Sequence, residues 1–384
     1  MCQNRLPGWD DKGQVCGARK ILNLLTGINR NKTFIQIIPM KTGVLLINLG
    51  TPDSPSTADV RKYLSEFLND PRVIDIHPVG RFFLVNGIIV PFRSPKSAKL
   101  YQHIWTEQGS PLLIYGNKVK QSLQQSLGTE FVVDLGMRYG KPTIAAALDR
   151  LRKAQVSKII LIPLYPQYAS SSTGSSVQKA LELIKSWEVT PSLEVISYFF
   201  NQPLFLDAWV EVTQKYDLST YDHFLFSYHG LPERHIRKGS AHYGGNICNL
   251  DSCCNSITPS NVYCYRASCL ATTRALVSKL NIPEGKYTSS FQSRLDDKWI
   301  KPYSDKVLEE KAKQGVKRIL VFSPAFVADC LETLYEIGTE YDELFRKHGG
   351  EKIQLVESLN DHPAWIAALK EMVLERVTRK GVTL

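Results

Sequence analysis

LLINLGTP (residues 45–52) and FLFSYHGLP (224–232) share one pattern, a strand-length apolar run closed by a glycine turn and a proline. Their pairing decides the fold. Gly50 aligns with Gly230 and Pro52 with Pro232. Two more pairs follow in the same order. GMRYGKP (136–142) resembles QSRLDDKWIKP (292–302) in its strand-end arginine and following proline, and KIILIPLY (158–165) parallels KRILVFSPAF (317–326). Three pairs in one order indicate a duplicated unit.

Outward from these motifs, short runs rich in Val and Ile and bounded by Gly or Pro predict buried strands at Val44–Leu49, Phe131–Leu135, Lys158–Pro163, His223–Tyr228, Tyr287–Phe291 and Arg318–Ser323. Helical patterns occupy Thr57–Leu68, Thr143–Lys153, Ser175–Lys185, Thr272–Leu280, Ser304–Lys313 and Asp329–Phe345, with Ser56 and Ser304 as expected N-caps. Alternating strands and helices specify an α/β fold of two similar Rossmann-like domains, each a parallel sheet flanked by helices. We expect a leader at 1–42, an N-terminal domain at 43–190 and a C-terminal domain at 191–384 that carries a cysteine insert at 248–269. Each repeated motif lies at the carboxyl end of a strand, where open α/β sheets bind ligands, so the loops are expected to line one cleft.

Composition narrows the function. The chain holds 47 basic against 37 acidic residues, a net charge of +10, which favours anionic partners. The charge is spread without a Lys/Arg block or an aromatic RNA motif, so nucleic acid is not an expected partner. No stretch reaches the ~18–20 apolar residues of a spanning helix. FFLVNGIIVPF (82–92) is about half that length and contains Asn86, Gly87 and Pro91, so it is expected to dip into a bilayer or to pack as core. The first 39 residues lack the order of a signal peptide, and Asp10 and Asp11 argue against a transit peptide, so the expected natural start is Met40. Nothing marks secretion, and the expected location is the cytoplasm, peripheral on the inner face of the cytoplasmic membrane.

Three segments carry chemistry. In FSYHGLPERHIRKG (226–239), His229 ends a strand before a stiff Gly–Pro turn, where a neutral imidazole binds a metal, takes a proton or serves as a bonded structural group. In SPAFVADCLETLYEIGTEYDELF (323–345), Asp329, Glu332, Glu336, Glu340 and Glu343 recur at three- and four-residue steps and are expected on one helix face. That face is either solvated or a track for protons and divalent cations. IPLYPQYASSSTGSS (162–176) runs from a Pro–Tyr loop into a helix start suited to anions, without the Walker A ending.

Taken in order, LLINLGTP, GMRYGKP, the YPQY and SSTGSS pair, FSYHGLPER, FQSR with KPYSD, and AFVADCLETLYEI resemble the ferrochelatase family over roughly residues 43 to 376. The resemblance implies chelatase-type Rossmann-like domains around a porphyrin cleft, and an enzyme that inserts Fe2+ into a porphyrin, protoporphyrin IX, with release of two protons. It places the catalytic and metal-binding pair on His229 and Glu332. A proton or metal path falls on Asp329, Glu336 and Glu340, and porphyrin binding on Arg138, Tyr139, Tyr165 and Gln167. The partners implied are porphyrin and ferrous iron. The 82–92 segment takes the place of a membrane-touching lip. A coproporphyrin chelatase, a related cobalt chelatase and a non-enzymatic porphyrin carrier are the rival readings.

The cysteines depart from the animal pattern of the family, since Ser170 stands in the loop and RVTRKGVTL has no thiol. Cys2 and Cys16 lie in the leader, and Cys330 stands alone. Cys248, Cys253, Cys254, Cys264 and Cys269 crowd together and resemble the internal insert of some bacterial members. That resemblance implies a [2Fe-2S] cluster on four of the five, with zinc or free thiols as alternatives. QSRLDDKWIKP also lacks the Gly and Pro usual before this Trp299, and is one residue short.

Overall fold

The computed structural model describes residues 40–243 and 245–378. The expected leader up to residue 39, with Cys2, Cys16 and the question of the start at Met40, lies outside the described residues. Two four-stranded sheets form the frame. The first holds β1 (Thr42–Thr51), β2 (Phe131–Gly140), β3 (Lys158–Pro163) and β4 (Ser192–Val195), in the order β2-β1-β3-β4. The second holds β5 (His223–His229), β6 (Tyr287–Gln292), β7 (Arg318–Phe322) and β8 (Lys352–Leu355), in the order β6-β5-β7-β8. All the pairings are parallel, and helices cover both sheets.

The strands are unbroken apolar runs because both faces are buried. In β1, Val44 and Leu46 enter one core cluster and Leu45 and Ile47 another, which is the period of two expected of a strand. β5 repeats this, with Phe224 and Phe226 on one side and Leu225 on the other. One cluster runs through both halves, joining Val44, Leu46 and Ile160 to Phe226, Leu320, Trp209 and Trp365. The Pro363–Thr378 helix packs on Pro203–Thr213 and Pro111–Leu127, so the end of the chain returns to the first half.

The duplication is visible in matching hydrogen bonds. Met137 N–H donates to the Pro142 carbonyl at 2.6 Å, and Phe291 N–H to the Pro302 carbonyl at 2.8 Å. These bonds equate Met137 with Phe291, and therefore Arg138 with Gln292. The sequence pairing of Arg138 with Arg294 is corrected by two residues, because the longer LDDKWIK loop hides the true register. We propose that the first structural unit runs through β4, slightly past the expected boundary at 190.

Several elements escaped the sequence. β4 and β8 are short edge strands with half-buried residues, so their apolar signal is weak. The Tyr265–Lys279 helix begins well before Thr272, where cysteines and polar residues conceal the pattern. Ser304 is the first residue of its helix, not the cap; its hydroxyl bonds instead with Ser227 at 2.9 Å and Ser290 at 2.8 Å. Ser56 caps its helix as expected. The acidic segment is a π-helix over Glu332–Tyr341 followed by an α-helix over Asp342–Lys347. Residues 78–104 are helical throughout, with π geometry at Leu84–Ile89. There Val85 and Val90 are core, whereas Phe83 is 67% and Phe92 74% exposed, with Phe82 and Ile88 also exposed.

Between this lip and the first sheet, Asp70 organises a buried polar knot. Its carboxylate accepts from Arg138 at 2.6 Å, Tyr139 at 2.8 Å, Ser175 at 2.5 Å and the Arg72 N–H at 2.7 Å. Burial alone would raise its pKa, but the donors from Ser175, Arg72 and Tyr139 and the charge of Arg138 outweigh that and hold it below the usual range. The stabilisation is therefore full above the unfolded pKa, near 4, and is lost as pH falls through the lower folded value. Asp70→Asn leaves Arg138 buried without its counter-charge. It is expected to cost about 3–5 kcal/mol at pH 7, with a loss that shrinks as pH falls below 4. Urea melts of both forms across that range check this.

Candidate active site

β5 and β6 run side by side so that His229 pairs with Gln292 at their carboxyl ends. The His229 ring is fixed by its own turn. Nδ1 lies 2.6 Å from the Gly230 carbonyl, and a carbonyl only accepts, so Nδ1 carries the proton. In the neutral ring, Nε2 then keeps its lone pair. Trp299 and Phe326 flank the imidazole at centroid distances of 6.3 and 6.4 Å. Gly230 is required where it stands, since a Cβ there would sit 2.8 Å from the Gln292 carbonyl oxygen and 3.1 Å from the Trp299 ring.

The Gln292 side chain links the histidine strand to the acidic helix. Its oxygen accepts from Ser227 at 2.7 Å, and its amide nitrogen donates to the Glu332 carbonyl at 3.1 Å and to the Glu336 carboxylate at 3.0 Å. Gln292 is thus both the strand partner of His229 and the side chain that holds the main chain at Glu332. The Glu332 carboxylate meets the Cys330 thiol, whose pKa is pushed up by burial and by the glutamate's charge. Tyr63 and Tyr101 lie close enough to feel that charge too, though burial is the larger cause of their raised pKa values.

The acidic residues do not form one uniform ladder. Glu336 accepts from Gln292, from the Ser293 N–H at 2.8 Å and hydroxyl at 2.5 Å, and from Tyr341 at 3.0 Å. Glu340 stands at the exposed end, and its pKa is raised by partial desolvation and then by the charges of Glu336, Glu343 and Asp305. Asp329 turns elsewhere. It precedes the π-helix and accepts from Asn360 at 2.8 Å, the Ser358 N–H at 3.2 Å and Thr333 at 3.3 Å. The expectation of one shared face is corrected there, because π geometry and the Asn360 contact carry Asp329 to the far side.

The expected porphyrin residues are mostly beneath the surface. Tyr139 is fully buried in the Asp70 knot, and the Arg138 guanidinium stacks 4.5 Å from the Tyr139 ring centroid. Gln167 is buried and donates to Thr272 at 3.0 Å. The Tyr165 and Ser176 hydroxyls are buried without a hydrogen-bond partner of good geometry. Gln292, Ser293, Asp70 and Ser175 were not singled out from sequence; their polar side chains at strand ends and helix starts were the available signal.

Across the cysteine segment the thiols form a chain of contacts. Cys248 touches Cys253, Cys253 lies 3.8 Å from Cys254, and Cys254 touches Cys264. Cys269 is set apart, fully buried and in contact with Tyr265. None of the five is joined in a disulfide. Among the described residues, no three His, Cys, Asp or Glu side chains converge as a ready site for a single ion. Four linked sulphurs in a row suit a two-iron cluster, with two thiolates per iron, better than one tetrahedral ion.

A model of the ferrochelatase family matches residues 41–377. The chain is similar to a ferrochelatase of Coxiella burnetii (strain Dugway 5J108-111), at 46% identity over 86% of this chain and 93% of that one. It is also similar to a ferrochelatase of Legionella pneumophila (strain Paris), at 44% identity over 88% of this chain and 100% of that one. Among solved structures, SirB from Bacillus subtilis with Fe3+ aligns at a TM-score of 0.48 and 11% identity, covering 88% of this chain and 97% of that one. Matched along nearly all of its described length, the chain belongs to the ferrochelatase family.

Proposed function

We propose that this lyase-class chelatase inserts Fe2+ into protoporphyrin IX in haem synthesis, with His229 and Glu332 as the acting pair. The reading is supported by the backbone link that Gln292 makes between them, as the strand partner of His229 and the donor to the Glu332 main-chain carbonyl. Metalation removes two pyrrole protons while the ion sheds water. With Nδ1 committed to Gly230, Nε2 is the basic atom on the His229 side. Glu332, half-buried with its carboxylate against the Cys330 thiol, is the carboxylate assigned to the ion. Glu340, with its raised pKa, suits the release of protons to solvent, whereas Glu336 acts as the anchor of the π-helix. Asp329 has its oxygens occupied and serves the fold. Arg138, Tyr139, Tyr165 and Gln167 support the porphyrin floor from below. Anaerobic insertion assays with protoporphyrin and coproporphyrin test the reading. His229→Ala and Glu332→Ala are each expected to lose at least ~100-fold in kcat with melting curves unchanged. Full turnover by either variant, or a single turnover by the wild type, overturns it.

The exposed Phe82, Phe83, Ile88 and Phe92 favour peripheral contact with the membrane at its cytoplasmic face, through which an apolar porphyrin can pass. No helix among the described residues is long and apolar enough to cross a membrane. Each phenylalanine buried in lipid contributes about 1.5–3 kcal/mol. The Phe82→Ser, Phe83→Ser, Phe92→Ser triple variant is expected to stay in the supernatant when vesicles are sedimented, while the wild type pellets. Equal partitioning rejects the contact.

Cys248, Cys253, Cys254 and Cys264 would hold a [2Fe-2S] cluster, with Cys269 outside the ligand set. Such a cluster supplies one-electron chemistry or a structural cross-link within the segment. Anaerobically purified protein is expected to show cluster absorption and, once reduced, an EPR signal that is lost in Cys254→Ser and retained in Cys269→Ser. Colourless, iron-free protein with full activity rejects it.

A further inference from the structure

We propose that the Tyr265–Lys279 helix couples the cysteine segment to the imidazole of His229, with Tyr265 as the positioning residue between them. This rests on His229 being the acting imidazole.

The helix starts at the thiols, since Cys264 is its N-cap residue and touches Cys254. The next residue, Tyr265, donates its hydroxyl proton to the His229 carbonyl at 2.8 Å. That phenol has one proton, and the carbonyl takes it. The buried Cys269 thiol lies against the same phenol. The phenol thus ties the first turn of the helix to the backbone of His229, with the Cys269 thiol packed beside it. Tyr265 is 7% exposed and Cys269 fully buried, which leaves little room for water to replace a broken link.

The histidine is built to respond. Its Nδ1 is closed onto the carbonyl of the next residue, so the aim of the ring follows the backbone at 229–230. The same helix grips the surroundings as a rigid beam. Thr273 bonds with the Tyr228 hydroxyl at 2.9 Å, and Thr272 accepts from Gln167 at 3.0 Å. A shift at its first turn therefore reaches the imidazole, the residue before it and the 165–167 loop together. A chemical change at Cys264 is the event that moves that turn.

The test uses the full chain labelled with 13C-histidine, free of porphyrin and metal, with the His229 ring signal assigned by its loss in His229→Gln. The wild type is treated with methyl methanethiosulfonate, and the modified thiols are counted by mass spectrometry. The His229 signal is expected to move in the wild type. In Tyr265→Phe, which keeps the ring and loses one hydroxyl, the same thiols react and the movement falls at least ~5-fold, as it also does in Cys264→Ser. Tyr265→Phe is also expected to lower kcat for insertion by ~10-fold with porphyrin KM unchanged. An unmoved signal in the wild type, or equal movement in Tyr265→Phe, overturns the coupling. These spectra need no turnover, so they fail independently of the insertion assay.

Discussion

The buried side-chain amide of Gln292 is the constraint on which the site depends. It is almost fully removed from solvent and spends both of its polar atoms inside the protein, on Ser227, on the Glu332 carbonyl and on the Glu336 carboxylate. Through it, a strand end and a helix from a separate part of the chain share one anchor. Loss of any one partner would leave a buried polar atom unmet, at a cost of about 1–3 kcal/mol. The acidic helix is therefore fixed against β6, and with it the approach to His229. Its π form follows the same logic, because Ser293 and Tyr341 hold Glu336 from two further sides.

Much of the frame was legible in the residues. The apolar runs of β1, β3, β5 and β7 are central strands buried on both faces, and such strands announce themselves by composition. Edge strands do not, and Ser192–Val195 and Lys352–Leu355 show why: with half-buried side chains and two polar residues in each, nothing separates them from loop. The helix before Thr272 was obscured by a different cause. Cys264 and Cys269 were read as candidate ligands, so their place in a helical face went unnoticed.

For the site, the residue types were readable and their partners were not. His229 and Glu332 stood out by position and by resemblance. That Glu336 is bound by a serine and a tyrosine, or that Asp329 faces Asn360, requires contacts between positions far apart in the chain. Spacing alone treats all carboxylates on a helix alike. The surrounding contacts separate them: Glu332 lies beside the Cys330 thiol, Glu336 is held by several donors, Glu340 stands at the solvent end and Asp329 is bonded to Asn360.

The corrected register of the duplication sets two unlike side chains at one structural position. Arg138 and Gln292 occupy equivalent places at the ends of twin strands, and beside them stand Leu49 and His229. One copy fills the position with a cation neutralised by Asp70, the other with a neutral amide that binds the Glu336 carboxylate. A single framework thus sets unlike polarities at the ends of twin strands: an ion pair shut into the interior on one, and on the other an amide that ties down an acidic helix. Divergence at one pair of equivalent sites made one strand end a lock and its twin a tether.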